Sequence, residues 1–385
     1  MKSGFDRRRF FALSAAAVAG LSGLDRVSAA LQATRHENAP AGSSWTGYDA
    51  AMVIDGLGGP GGSDRLTVNE IADIRASGVT ALNLTVGSVG VLTNAFESTI
   101  QGIAAWEQEI ADHPDLYLKV RSVADLQEAK RSRRLGLIYG FQDTLSIGDD
   151  LDRIQTFYQL GVRIIQLTYN RRNLAGDGCL EPADGGLSLT GRAMVERLNQ
   201  QGILIDLSHG GRRTTLDAIA ASKVPVAITH TGCAALADLP RNKTDGELRL
   251  LAERGGVAGI YLMPFLRVQG QPMAEDVIRH IEHAVAVCGE DHVGIGTDGP
   301  VVPIELTPEL IERHRKDVQE RRRRGISAPG EAEDVYTFVP DLNTPRRFEL
   351  IGRHLLARGH SEARVAKILG GNFMRLFGEA WTPKA

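Results

Sequence analysis

Eight short apolar runs punctuate the chain: AMVID at 51–55, VTALNLTV at 79–86, LGLIYGFQ at 135–142, VRIIQLTYN at 162–170, ILIDLSH at 203–209, VPVAITH at 224–230, GVAGIYLM at 256–263 and HVGIGTD at 292–298. These runs are largely apolar rather than alternating, the pattern of strands covered on both faces. Between them, TVNEIADIRASG, LDRIQTFYQLG, SLTGRAMVERLNQQG, TTLDAIAAS and EDVIRHIEHAVAVCG carry apolar residues at helical spacing, and most end on glycine. Buried strands separated by single helices imply a parallel sheet, and eight such units imply an α/β fold of the (β/α)8 TIM-barrel type. An open doubly wound sheet is the alternative, weakened because no G-x-G-x-x-G follows the first run.

The segments outside this rhythm have their own character. Arg7-Arg8-Arg9-Phe10-Phe11, a weakly apolar LSAAAVAGLSG and Val27-Ser28-Ala29 form the pattern of a twin-arginine signal peptide over 1–29. That predicts a periplasmic or secreted protein. Residues 30–49 read as a polar linker, and the barrel domain as 50–385. Within it, 304–340 breaks the repeat with IERHRKDVQERRRRG, which predicts a charged, solvated helix whose basic run Arg321–Arg324 is balanced by neighbouring acids. Residues 341–380 have the apolar spacing of closing helices.

Composition narrows the picture further. With 43% hydrophobic residues in 385 and a formal net charge of −3, the chain can bury a large core and lacks the basic excess of a nucleic-acid binder. No internal apolar run is long enough to span a membrane once the signal is removed. The cysteines Cys179, Cys233 and Cys288 have no thiolate metal-site spacing and allow at most one disulfide.

In barrels of this type, function sits where strands end. The strand ends here carry Asp55, Gln142, Tyr169 with Asn170, Asp206 with His209, His230, and Asp298. Polar groups ending apolar runs must meet at the mouth or lie buried without partners, at a cost of a few kcal/mol each. His209 and His230 end neighbouring strands, and Asp298 ends the eighth. Two imidazoles and a carboxylate suit one zinc with an open position, which lowers the pKa of a bound water to roughly 7.

DLSHGG, ITHTG, PRNKTD, NLAGDGCLEPADGGLSLTGRAMVERLN, GIGTD and LGGNFMRLFGE resemble the renal (membrane) dipeptidase family, over about residues 50–380 except 304–340. The resemblance implies an amidohydrolase-type barrel that hydrolyses dipeptides with two zinc ions, often as a dimer. By position, His209 and His230 match the histidines of the second zinc. Asp298 matches the acid that handles the proton of the metal-bound water. Arg241 matches the arginine that meets the substrate carboxylate.

Four positions depart from the family pattern. Asp-Gly-His-x-Asp, whose His and second Asp bind the first zinc, is here Asp55-Gly56-Leu57-Gly58-Gly59; the bridging Glu is Gln142; the substrate-contacting His is Tyr169. Leu has no lone pair, Gly no side chain, and Gln no charge. Two cations about 3.5–4 Å apart would repel almost uncompensated there. One Zn2+ is therefore expected, not two. Asp143 should face away from the site because successive strand residues alternate sides. The leading expectation is a single-metal hydrolase of dipeptides or similar amides, with Tyr169 at the oxyanion and Asn170 and Gln142 lining the substrate. Changed chemistry on an exported peptide-like metabolite, or a non-catalytic binder of dipeptide-like ligands, are the alternatives.

Overall fold

The computed structural model describes residues 45–61, 66–90, 93–325 and 327–382. The signal-peptide reading of 1–29 and most of the linker lie outside them. Residues 45–49 prove to be packed rather than linking: Trp45 and Tyr48 are buried, and the Tyr48 hydroxyl donates to Ser77 O at 2.7 Å.

Eight parallel strands close a (β/α)8 barrel: Ile54–Asp55, Ala81–Thr85, Leu135–Phe141, Val162–Gln166, Leu204–Asp206, Ala227–Thr231, Val257–Ile260 and Val293–Ile295. Each coincides with one of the eight apolar runs, the sixth strand overrunning its run by Thr231. Closure comes from the first strand pairing the last (Asp55 with Ile295) while also pairing the second (Ile54 with Ala81). Crossover helices cover the outside, so the strands are buried on both faces and need no polar alternation. A further strand, Tyr117–Lys119, extends the third through Leu118–Gly136 pairing. It lies, with helices Ala95–Asp112 and Val123–Ser132, in the stretch between the second and third runs.

The lower end of the barrel is plugged from the C-terminus. Ile54, Ala81, Ile138, Ile164, Leu204, Ala227 and Val257 form one apolar cluster with Phe373, Leu376 and Phe377 of the closing helix Asn372–Ala380. Gly294 is required by this fit, because a Cβ there would lie 2.5 Å from the Phe373 ring. With the bottom sealed, polar residues at the strand ends are left to line the opposite mouth.

The 304–340 segment departs from expectation. Its helix Pro308–Arg323 is charged but not simply solvated: His314 and Val318 are buried, and Arg321 lines the cavity at the mouth. Spacing explains this, since positions 314, 318 and 321 fall on one helical face. Several of its polar groups are held within the segment. Arg321 meets Glu331 (2.8 Å), Arg315 meets Glu333 (3.1 Å), and His314 Nε2 lies 2.9 Å from Val335 O. Arg171, after the fourth strand, donates to Gly325 O at 3.0 Å and ties the segment to the barrel.

Candidate active site

His209 and His230 meet at the mouth, their Nε2 atoms 3.0 Å apart. Each outer ring nitrogen is engaged. His209 Nδ1 lies 2.6 Å from Asn170 Oδ1. His230 Nδ1 lies 2.9 Å from Thr229 Oγ1, whose own proton goes to Asp206 Oδ2 at 2.6 Å. An amide oxygen can only accept, and the committed Thr229 hydroxyl must accept, so both rings carry their proton on Nδ1. Burial, and then the Arg241 charge, hold both imidazoles well below their ordinary pKa, keeping them neutral. Two Nε2 lone pairs therefore face one point, an arrangement that a bound cation relieves.

Asp206 is the support of this pair. Its carboxylate also accepts from Ser208 Oγ (2.5 Å) and from the Thr229 and Ser208 amides (2.9 and 3.1 Å). Fully enclosed, it fixes the chain segments that present both histidines, and takes no place among the residues lining the cavity.

That cavity, about 610 Å³ counted with its opening to solvent, is lined by Gln142, Tyr169, Asn170, His209, Arg241 and Asp298 from the barrel. Met263, Pro264 and Phe265 form an apolar wall, and Val318, Arg321, Glu331 and Val335 form the roof. The roof was not foreseen from sequence. Its one legible sign is the spacing of His314, Val318 and Arg321 in an otherwise charged helix.

Arg241 is buried at 2% exposure. Nη1 donates to Ser208 O at 2.8 Å, whereas Nη2 is enclosed with no oxygen to receive its protons. The guanidinium sits 5.9 Å from the Tyr261 ring centre and 5.8 Å from that of Phe265. Its neighbours are pinned: Asn242 Nδ2 donates to Ala237 O and Phe265 O (2.6 and 2.8 Å), and Lys243 Nζ to Gly210 O and Thr215 Oγ1 (2.6 and 2.8 Å). A buried donor without an acceptor costs about 1–3 kcal/mol. An anionic ligand would satisfy it.

Asp298 has left-handed backbone (φ 55°), unusual for a residue with a Cβ, and its N–H donates to Leu57 O at 2.8 Å. Burial raises its pKa to about 7, against the Arg241 and Arg321 charges. A carboxyl poised there exchanges a proton readily near neutrality. Tyr169 stacks on His209, ring centres 4.2 Å apart.

The two expected cation positions fare differently. Where the first would lie, Leu57 is buried, Gly58 and Gly59 form a short ladder with Gly299 and Pro300, and Gln142 Nε2 donates to Thr85 Oγ1 at 3.0 Å. Asp55, the remaining acid, accepts from Thr297 N and Oγ1 (2.7 and 2.6 Å). Asp143 accepts from Asn173 Nδ2 at 2.7 Å and stays outside the cavity lining. These residues do not fit a cation. At the second position the histidine pair does fit one. Asp298 shares the cavity but does not complete the anticipated His209–His230–Asp298 set: among the described residues, no three His, Cys, Asp or Glu side chains are grouped to hold a metal. The pair would offer two nitrogen donors to such a cation. The three cysteines are free thiols.

Comparison with known proteins agrees with this architecture. A sequence model of "Membrane dipeptidase (Peptidase family M19)" matches residues 68–313. Dipeptidase verJ of Clonostachys rogersoniana is 32% identical over 287 residues, 73% of this chain and 65% of that protein. Dipeptidase aclJ of Aspergillus oryzae is 29% identical over 298 residues, 75% and 63% of the two chains. The chain thus spans slightly less than two thirds of each of these relatives. An amidohydrolase structure from Pseudomonas aeruginosa superposes with TM-score 0.76 and 34% identity, over 87% of this chain and 98% of that one. A Rhodobacter sphaeroides metallo peptidase, liganded with a phosphinate mimic of the dipeptide L-Ala-D-Ala, gives TM-score 0.70 at 19% identity, covering 86% and 99%; that likeness concerns fold alone.

Proposed function

Because the chain belongs to the membrane dipeptidase family, peptidase family M19, we propose that it hydrolyses dipeptides or similar small amides bearing a free carboxylate, with one zinc ion rather than two. The observation carrying this reading is the convergence of the His209 and His230 lone pairs beside the unsatisfied Arg241 Nη2. It sets an anion seat near a one-cation seat whose His209 lines the cavity while His230 lies outside the lining.

His209 and His230 would hold the zinc, which when bound supplies carbonyl polarisation and an acidified water. The chain's own residues do the rest. Arg241 receives the substrate carboxylate, charge against charge in a site that excludes water. Its chain neighbours Asn242 and Lys243 are pinned by their own hydrogen bonds, so the anchor keeps its place as substrate enters. Asp298 takes a proton from the attacking water and returns it to the departing amine; its pKa of about 7 suits both directions. Tyr169 donates to the carbonyl oxygen as negative charge develops there. The pattern at 7–29 supports export by the twin-arginine route and action in the periplasm or beyond. Among the described residues, no helix is long and apolar enough to cross a membrane.

A dipeptide panel incubated with zinc-supplied protein tests this. Turnover should appear, and Asp298→Asn should abolish it while leaving affinity for a phosphinate dipeptide mimic near wild type. The two-donor seat favours one second reading, a dipeptide-binding protein without catalysis. Tight phosphinate binding with no turnover at any zinc level would select it.

A further inference from the structure

The apolar part of the cavity lies next to its anion seat. Met263, Pro264 and Phe265 form the wall, and the Phe265 ring centre is 5.8 Å from the Arg241 guanidinium. That wall is fixed, since Phe265 O accepts from Nδ2 of Asn242, the residue after Arg241, at 2.8 Å. The 304–340 segment closes directly on it. Gly330 has a positive φ of 104°, which suits glycine, and a Cβ there would lie 3.0 Å from the Phe265 ring. Val318 and Val335 bring two more apolar side chains to the lining. The chain around Val335 is clamped: its carbonyl accepts from His314 Nε2 at 2.9 Å, and Gln271 both accepts from Tyr336 N (2.7 Å) and donates to Phe338 O (2.6 Å). The two charged residues of the roof hold each other, Arg321 Nε to Glu331 Oε2 at 2.9 Å and Nη2 to Oε1 at 2.8 Å.

We propose that this corner, wall and roof together, is a specificity pocket for the side chain of the substrate residue that bears the free carboxylate, and that the preferred substrates are dipeptides with an apolar C-terminal residue. The proposal rests on, and deepens, the hydrolase reading above. A carboxylate held by Arg241 is one bond from its α-carbon, so the side chain on that carbon starts beside Phe265. An apolar side chain there leaves water for contact with Met263, Phe265, Val318 and Val335. A charged one loses its hydration and finds the roof charges already paired with each other. The preference is this chain's own, because Val318 and Val335 come from the segment that interrupts the family pattern.

The test titrates zinc-supplied, full-length protein with phosphinate dipeptide mimics that differ only in the C-terminal side chain: glycine, leucine, aspartate and lysine types. Wild type should bind the leucine type about tenfold or more tightly than the glycine type, and both charged types more weakly than the leucine type. Val335→Thr, which keeps the shape and adds a hydroxyl, should narrow the leucine-to-glycine ratio. Met263→Lys, which places an ammonium at the wall, should raise the aspartate-to-lysine ratio about tenfold. Each readout is a ratio within one protein, so a partly unfolded variant leaves it intact. A series that binds evenly, a series of which no member binds, or ratios that neither substitution moves would overturn the proposal. Ordered binding without turnover of the matching dipeptides supports the pocket and removes the hydrolase reading. Turnover indifferent to the C-terminal side chain does the reverse.

Discussion

At the scale of single residues, the site is governed by which polar atoms have partners. His209 and His230 each spend their outer proton on a fixed acceptor, so their chemistry is confined to Nε2. Replacing Asn170 with Leu would free the His209 ring to change tautomer and donate to His230; zinc affinity should fall about 10- to 100-fold, as for lost ligand-orienting partners elsewhere, measured by competition with a chromophoric chelator. Arg241 is the converse case, a buried donor awaiting an acceptor. Arg241→Leu should weaken phosphinate binding by about 10- to 100-fold, since hydrogen bonds to charged groups contribute about 1.5–3 kcal/mol, and calorimetric titration would measure it. The histidines were legible in the sequence because a polar side chain that ends an apolar strand has few places to go, whereas Arg241, in the loop after the sixth strand, was legible only through the family resemblance, and the Asn170–His209 pairing was not read. The dismantling of the first cation position was equally legible, since Leu57 and Gly59 lack donors in any conformation.

At the scale of elements, legibility followed burial. The eight strands were readable because both their faces are covered. The mixed helices Ala95–Asp112 and Val123–Ser132 and the three-residue strand Tyr117–Lys119 lacked so clean a period. The covering helix Pro308–Arg323 misled for a physical reason: Arg321 and Arg315 pair with Glu331 and Glu333 of its own segment, so a solvated composition conceals a packed face. Val318→Asp would place a carboxylate under that face without a partner. The segment should lift, seen as faster proteolysis within 304–340 while the barrel stays intact. The closing elements show a different dependence. Glu290 accepts from Lys367 Nζ and Arg364 Nε, both at 2.7 Å, and these hydrogen bonds lower its pKa to about 2 from an ordinary 4.5. A depressed carboxylate pKa stabilises the fold above the unfolded value and loses that contribution as pH falls through the folded one. Glu290→Gln should therefore lower the melting temperature at pH 7, with the gap to wild type closing between about 4.5 and about 2.

At the scale of the whole molecule, one end of the barrel is sealed by Phe373 and Phe377 and the other is roofed by the 304–340 segment. Between them lies the cavity lined by Tyr169, His209, Arg241 and Asp298. The resemblance implies two neighbouring cations; on the proposed reading, Leu57 and the glycine ladder close one of those positions and the histidine pair keeps the other. The most direct test of that claim is metal stoichiometry, by elemental analysis of the purified protein equilibrated with zinc and freed of excess. The account predicts one equivalent, lost in His230→Ala, with no second equivalent at any zinc concentration short of nonspecific binding. Two equivalents in the wild type, or one that survives the loss of His230, would contradict it.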